Sequence, residues 1–165
     1  MWSEAFLAQA ESDWQIYEHL EKTAFSKCHT LHYLQMATEK LAKAYLLKGR
    51  TDIKFVRSTH QALTRYFQDL SRNRRLQGVM GMTAKQLRMH VQQLLPLANE
   101  IEKLAPALAG DGPNPEYPWE APKGVFNVPV TYEFTVGKAL RQPHGHNFIK
   151  LIRKALKNFD ALHTK

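Results

Sequence analysis

The sequence predicts an all-α fold, a four- or five-helix up-and-down bundle with a long proline-rich insertion before the last helix. Apolar residues recur at three- and four-residue steps in five segments, which is typical of amphipathic helices. Pro is concentrated in the stretch that precedes the last of these segments. A length of 165 residues fits one domain with its own core, so we expect a single domain over residues 1–165.

The first two helices are expected over residues 4–24 and 26–48. In both segments apolar side chains follow one helical face, while charged side chains mostly occupy the others. Ser3 is the expected N-cap of the first helix. Gly49 stands where the second helix would end in a left-handed residue.

The middle of the chain is predicted to hold two more helices. Residues 50–58 are expected to form a loop, and Thr59 to cap a helix that runs from His60 to about residue 71. A further helix is expected over residues 83–104, with the threonine at its start as the cap. Pro96 should bend or split that helix, because a proline removes one backbone hydrogen bond and clashes one turn back.

The segment before the last helix is predicted to be a long structured loop. Residues 110–129 contain five Pro, so no helix is expected there. Residues 128–136 are rich in β-branched and aromatic side chains and favour a short extended piece. The last helix is expected to start near Pro143 or His144 and to end at about Leu162.

Two features favour a cytoplasmic protein without membrane contact. Cys28 is the single cysteine, so no internal disulfide is expected, and it is more typical of a small buried hydrophobe than of a nucleophile. No basic segment precedes an apolar run at the N-terminus, and no segment reaches the roughly 18 apolar residues of a membrane span.

The formal charge of +8 favours anionic partners. Residues 1–50 hold six Lys/Arg against six Asp/Glu, so the excess lies in residues 51–165. Phosphate contacts supply most non-specific binding energy, which makes nucleic acid and nucleotide phosphates the expected ligands. The candidate binding cluster is Arg72, Arg74 and Arg75. A solvated, soluble surface remains an equal interpretation.

The second helix carries a motif with a family resemblance. The segment Tyr33–Leu47 has a Gln, an Ala two positions on, then Glu-Lys, an apolar pair, Lys-Ala and aliphatic residues. This pattern resembles the helix-two signature of HEPN domains, which are helical bundles of prokaryotes. Thr59-His60-Gln61-Ala62-Leu63 resembles the Thr-His-Asp-Leu of that family, with Gln61 in place of Asp. Asp13 stands where those domains commonly carry an acid.

Further motifs of the same resemblance lie near the end of the chain. Glu116-Tyr117-Pro118-Trp119 and Tyr132-Glu133-Phe134 resemble the Arg-Tyr-Pro and aromatic stretches of many members, with Glu116 in place of Arg. The resemblance implies a homodimer that acts as a non-catalytic binding module for RNA or nucleotides, without a cofactor. A metal-independent endoribonuclease of toxin type and a purely structural dimerisation module are the alternatives. The resemblance also implies a nucleotidyltransferase partner or a toxin–antitoxin role, since HEPN domains occur in both settings.

The helix-two motif also has a purely structural interpretation. Glu39 and Lys43 are spaced i, i+4 in the favourable order, which is worth a few tenths of a kcal/mol if the pair is exposed. Ala37 and Ala44 would let a neighbouring helix approach closely. Ordinary helix packing with a surface ion pair would therefore explain most of the motif.

The candidate catalytic residues are Arg141 and His146. Many HEPN proteins resemble metal-independent ribonucleases with an Arg and a His separated by four to six residues near the start of the final helix, and four residues separate this pair. Arg141 would hold the scissile phosphate, and His146 would act as general base or acid. Pro143 bars a continuous helix between them, so a structural or solvent-facing His146 is the alternative.

The remaining candidate binding residues are His60, His144, Tyr117 and Trp119. His144 is a second possible partner for Arg141 or simply a helix-start residue. The two aromatic side chains would stack on bases, as in single-strand binders, or else pin the long loop onto the bundle. One Cys and few acids near the histidines predict no metal site.

Overall fold

A computed structural model describes residues 1–49 and 52–164, and nearly all of its regular structure is helical, which confirms the all-α prediction. The helices in these residues are α1 (Trp2–Leu20), α2 (Lys27–Lys48), α3 (Ile53–Ser58), α4 (Ala62–Leu70), α5 (Arg74–Met80), α6 (Ala84–Glu102), α7 (Pro106–Ala109), α8 (Thr135–Leu140), α9 (Pro143–Lys157) and α10 (Phe159–His163). An antiparallel hairpin pairs β1 (Trp119–Ala121) with β2 (Val125–Asn127). The longest helices, α1, α2, α4, α6 and α9, correspond to the five periodic segments. None of the described helices is long and apolar enough to cross a membrane.

Helices α1 and α2 pack side by side in opposite directions. The Ser3 hydroxyl, at the start of α1, donates to the carbonyl of Ala44 at 2.8 Å, while Lys27 at the start of α2 lies 3.5 Å from Glu21. Ala44 is fully buried, so its small side chain allows this close approach. The prediction that Ser3 is an N-cap is wrong, because α1 begins at Trp2. Ser3 lies in the first turn of α1, and its hydroxyl contacts α2.

The charges of the helix-two motif are largely buried. Lys43 donates to Glu39 at 2.5 Å and to the carbonyl of Arg57 at 3.3 Å, and its side chain is only 8% exposed. Lys40 reaches across to Asp13 of α1 at 2.5 Å. The Glu39–Lys43 pair therefore exists as predicted, but its interpretation as a surface pair is wrong, since residues around Arg57 of α3 cover it.

The predicted loop after α2 is partly helical. Arg50 and Thr51 lie outside the described residues, but α3 follows Asp52 directly, so a loop throughout residues 50–58 is wrong. Gly49 has a φ of −75° and not the predicted left-handed conformation. A helix of six residues is too short for apolar periodicity to reveal it.

Helix α4 is capped by a distant carboxylate. Thr59 ends α3, and α4 begins at Ala62, so the prediction of a helix capped by Thr59 is wrong. Glu102 of α6 instead accepts hydrogen bonds from the backbone N–H groups of Leu63 and Thr64, at 2.5 and 3.0 Å. These bonds satisfy donors that a local cap would otherwise take. Burial raises the pKa of Glu102, although the bonds from Thr64 and Leu63 oppose the shift.

Helix α6 begins as predicted. The Thr83 hydroxyl accepts from the N–H of Gln86 at 3.3 Å, and the Gln86 side chain accepts from the N–H of Thr83 at 2.9 Å, which forms a capping box. Pro96 lies inside α6 without ending it, so the predicted split is absent from this helix.

The proline-rich segment contains a short hairpin. Within the described chain no helix lies between Gly110 and Pro129, as predicted. The extended piece is at residues 119–127, so the prediction of one at 128–136 is wrong. The hairpin turns at Lys123 and Gly124, which have φ values of 72° and 75°. Its register is fixed by this turn and not by the β-branched residues that follow.

The last helix starts at Pro143, as predicted, but it ends at Lys157, and α10 follows after Asn158. Arg75 of α5 donates to the carbonyls of Ala161 and Thr164, at 2.8 and 2.7 Å. The Tyr66 hydroxyl lies 3.0 Å from Nε2 of His163. These contacts dock α10 against α4 and α5.

The stability of the chain is expected to fall through His163 as the pH is lowered from about 6.5 to about 4. Burial and then the charge of Lys48 lower the pKa of His163 from 6.5 to about 4. In this window the unfolded chain binds a proton that the folded chain does not, so acid favours unfolding, and the full stability is present above pH 6.5. The ring is partly exposed, so we expect a loss of about 1–2 kcal/mol.

Urea unfolding of wild type and His163→Gln at about pH 7 and about pH 4.5 measures this loss of unfolding free energy. An equal loss in both proteins would contradict the assignment.

Candidate functional site

The two predicted catalytic residues flank the turn between α8 and α9. Arg141 is the C-cap of α8, and Pro143 is the first residue of α9, so no single helix runs from Arg141 to His146. Proline suits this position because the N–H that it lacks would have no helical partner there. The predicted interruption at Pro143 is confirmed.

Gly145 allows the backbones of α8 and α9 to touch. It is buried, and a Cβ atom at this position would lie 2.4 Å from both the Cα and the carbonyl oxygen of Leu140. Only a residue without a side chain permits such an approach. The contact holds His146, the next residue, beside the end of α8.

Arg141 and His146 line the same cavity, which has a volume of about 480 Å³. The cavity lies between α1, α2, α8 and α9, and its size is within the range of about 300–1,000 Å³ typical of small-molecule sites. The pair therefore converges on one cavity even though it does not share a helix.

The cavity wall carries more positive than negative charge. Its charged lining residues, apart from His146, are Lys22, Lys27, Arg141 and Arg153 against Glu18 and Glu21. Four cations minus two carboxylates leave two positive charges. The acids already have partners, since Arg153 lies 3.0 Å from Glu18 and Lys27 lies 3.5 Å from Glu21. The contact of Arg141 with Glu133 is long, at 3.9 Å, and leaves the Arg141 side chain 62% exposed. Lys22 is exposed and has no ion pair among the described residues, so Arg141 and Lys22 are the cations best disposed to bind an anion.

Two hydroxyl groups belong to the inner wall. Thr30 is 3% exposed, and its hydroxyl has no hydrogen-bond partner among the residues that the structure describes. Tyr17 is also buried, and this burial, followed by the charge of Glu21, raises the pKa of its phenol. The Tyr17 hydroxyl therefore keeps its proton at neutral pH and remains a hydrogen-bond donor.

His144 lies on the other side of the helix start. It lines a separate cavity of about 440 Å³ beside Pro96 and Leu97 of α6, whereas His146 faces α1 and α2. The imidazoles of His144 and His146 therefore line different cavities, although only Gly145 separates the two residues. Across the described ranges, no three His, Cys, Asp or Glu side chains gather as a possible metal site.

The arginine cluster after α4 is remote from the Arg141 cavity. Arg75 is committed to the carbonyls of α10, while Arg72 and Arg74 are exposed. None of the three lines the cavity. Any anion held by Arg72 and Arg74 would therefore occupy a different surface.

The predicted aromatic residues also lie outside the cavity. Trp119 is 7% exposed and packs edge-on against Tyr132, with ring centroids 4.7 Å apart. Trp119 also belongs to the hydrophobic cluster of the helices, so little of the indole is left for a base. Tyr117 is 60% exposed, whereas His60 is half-buried just before α4.

Glu116, at the position where the family carries Arg, lies beside α2. One of its carboxylate oxygens is 3.4 Å from Nδ1 of His32, a contact that lacks hydrogen-bond geometry. Glu116 therefore belongs to the packing of the loop against α2. It does not line the Arg141 cavity.

The sequence predictions omitted the α1 and α2 side of the cavity. Arg153 was detectable in principle, because it lies seven residues after His146 and so on the same face of α9. Glu18, Lys22 and Lys27 join the site only because α1 and α2 pack against α9. Their positions in the sequence carry no such signal.

No match to this chain was found among protein-family models, among curated proteins or among solved structures.

Proposed function

We propose that this chain is a HEPN-like, non-catalytic binding module that takes an RNA or nucleotide phosphate in the cavity of Arg141 and His146 and works as a homodimer. The observation that carries the proposal is the exposed Arg141 guanidinium in a cavity whose wall has a surplus of two positive charges. The resemblance of the Tyr33–Leu47 motif to HEPN domains supports the same class of ligand.

The chemistry of the lining residues suits a phosphate group. A guanidinium offers parallel N–H donors that match two phosphate oxygens, and such charge-assisted bonds are about twice as strong as neutral ones. The imidazole of His146 supplies a further donor, and the Tyr17 hydroxyl is held in its protonated form. The paired acids, Glu18 and Glu21, orient Arg153 and Lys27 and reduce their repulsion of each other.

Removing the guanidinium is expected to weaken binding strongly. Fluorescence anisotropy with a labelled single-stranded RNA of about 12 nucleotides, at about 50 mM salt, measures the affinity. We expect Arg141→Gln to raise the Kd at least about tenfold, which corresponds to the loss of one charged hydrogen-bonding group. Competition by AMP would extend the ligand class to single nucleotides.

Arg65→Gln is the matched control, since Arg65 is an exposed arginine of α4 outside the cavity. It removes the same charge and should leave the Kd nearly unchanged. Equal binding by the two variants would reject the cavity as the site. Absence of wild-type binding to RNA and to AMP at low salt would reject the proposed function.

A metal-independent endoribonuclease is the second candidate, favoured by the convergence of Arg141 and His146 on one cavity. His146 would take the proton of the 2′-hydroxyl, whose oxygen attacks the phosphorus while the bond to the 5′-oxygen breaks. A proton returned to that oxygen completes the step and leaves a 2′,3′-cyclic phosphate. Arg141 would stabilise the charge on the phosphoryl oxygens.

Cleavage in the presence of a chelator tests this second candidate. We expect His146→Asn to slow cleavage by about 100-fold or more if the imidazole transfers the proton. An RNA with a single 2′-deoxy nucleotide at the cleavage position should resist the wild type. Equal RNA integrity and equal growth of bacteria that express wild type or His146→Asn would exclude the enzyme.

A further inference from the structure

The last long helix carries an unbalanced row of positive charges. Residues 134–159 contain six Lys/Arg and no Asp or Glu. Lys150, Lys154 and Lys157 follow each other at four- and three-residue steps, which places them on one stripe of α9. Lys150 and Lys157 are exposed, and Lys154 is partly exposed. No ion pair involves any of the three within the described chain.

This arrangement works against the stability of the helix. Like charges three or four residues apart repel each other, at a cost of about 0.2–0.5 kcal/mol for each pair. Lys154 and Lys157 gain from the helix dipole in the last turn, but Lys150 lies at mid-helix and does not. The stripe therefore has no explanation in the fold itself, and a bound polyanion would remove the repulsion.

Apart from Glu100 and Glu102 at its C-terminal end, the neighbouring helix α6 adds no negative charge, and Glu100 lines the cavity of His144 at the start of α9. α6 packs against α9, and residues 70–99 contain five Lys/Arg and no Asp or Glu. Burial and then the charge of Lys150 lower the pKa of His90, which locates Lys150 beside α6. Asp160, the next acid after the stripe, is bound to Lys48 at 2.5 Å.

The stripe begins one turn after His146, which lines the proposed phosphate-binding cavity, although none of the three lysines lines the cavity itself. His146 and Arg153 line that cavity, and Lys150 lies between them along α9. A helix rises about 1.5 Å per residue, so the path from His146 to Lys157 covers roughly 16 Å. This length exceeds a single nucleotide and suits a short run of backbone phosphates.

We infer that Lys150, Lys154 and Lys157 form a track for the backbone of single-stranded RNA whose end or loop occupies the Arg141 cavity. The inference rests on the proposed function, and it extends the ligand from one phosphate to several consecutive ones. A membrane surface fits less well, because such helices also expose Trp, Phe or Leu, whereas the exposed residues of α9 are polar or basic apart from its first proline.

The test compares two triple variants with equal loss of charge. Lys150→Gln/Lys154→Gln/Lys157→Gln removes the track, and Lys54→Gln/Arg65→Gln/Lys103→Gln is the control on other helices. The probes are a labelled single-stranded RNA of about 12 nucleotides, with a trinucleotide as the short ligand. Circular dichroism melting verifies that both variants are folded.

The track variant should bind the longer RNA about 10- to 100-fold more weakly at about 0.1 M salt, because three phosphate contacts of a single strand each contribute about 0.7 to the salt slope. The negative slope of the log association constant against log salt should become less steep by about two. Its affinity for the trinucleotide should equal that of the wild type, whereas Arg141→Gln should lose both ligands.

Each other outcome overturns the inference. Equal binding of the longer RNA by the track and control variants would reject the track, and retained trinucleotide binding would leave the cavity proposal intact. Absence of wild-type binding to both probes would reject both proposals. Lysine-dependent binding to vesicles of phosphatidylserine and phosphatidylcholine, without binding to RNA, would assign the stripe to a membrane instead.

Discussion

Replacing Gly145 with alanine is expected to destabilise the chain by about 3 kcal/mol or more and to abolish the proposed phosphate binding. The new Cβ would lie 2.4 Å from two backbone atoms of Leu140 and 2.5 Å from the carbonyl oxygen of Ala139. These are backbone atoms, so no side-chain rotation relieves the contact, and α9 must move away from α8. That movement would separate His146 from Arg141.

Gly78→Ala is the matched control for this substitution. Gly78 lies inside α5, and a Cβ there meets no atom within 4 Å. Alanine should stabilise this helix by about 0.5–1 kcal/mol, because it loses less conformational entropy on folding. Urea unfolding and RNA anisotropy measure both variants. A Gly145→Ala protein with wild-type stability and affinity would refute the close packing of α8 against α9.

Replacing Lys43 with methionine is expected to cost about 3–5 kcal/mol of unfolding free energy. The substitution would leave the carboxylate of Glu39 largely buried without its cation. Glu102 is close enough for the charge of Glu39 to raise its pKa, after the larger effect of burial, so two carboxylates would then face each other. Denaturant unfolding at about pH 7 measures the loss.

Two variants separate the buried charge from the packing of the lysine chain. Glu39→Gln/Lys43→Met should recover a large part of the stability, since it removes the uncompensated carboxylate as well. Lys103→Met breaks the pair with Glu100, whose side chains are 55% and 51% exposed, and should change stability by less than about 0.5 kcal/mol. A Lys43→Met protein no less stable than Lys103→Met would contradict the buried role.

The elements that the sequence predicts well are those with local signals. Apolar periodicity located α2 and α9, and Thr83 located the start of α6. The start of α4 was missed because its cap, Glu102, lies 39 residues away from Leu63 along the chain. The extended piece was predicted at 128–136 and not at the observed hairpin, because the β-branched residues there gave a stronger strand signal than the turn at Lys123.

The candidate site was only half predictable. Arg141 and His146 were proposed from the resemblance to HEPN ribonucleases, and Pro143 correctly indicated a break between them. The sequence offered no way to see that Gly145 brings the two helices together at that break. The lysine and glutamate residues of α1 and α2 enter the cavity through tertiary packing, which periodicity cannot reveal.

One side of the cavity wall is formed by α1 and α2, which are neighbours in sequence. The other side is formed by α8 and α9, which lie far from α1 and α2 along the chain. The hairpin of α1 and α2 closes over a short connection and is expected to form early in folding, whereas the Glu18–Arg153 contact joins residues 135 positions apart. The cavity is therefore completed late. A local opening that releases α9 would remove one wall of the cavity, while the amides of α1 and α2 stay protected from hydrogen exchange. A ligand in the cavity would bind only while α9 is in place and would therefore make the release of α9 rarer. A bound ligand should slow hydrogen exchange of the amides of α9 more than of those of α2.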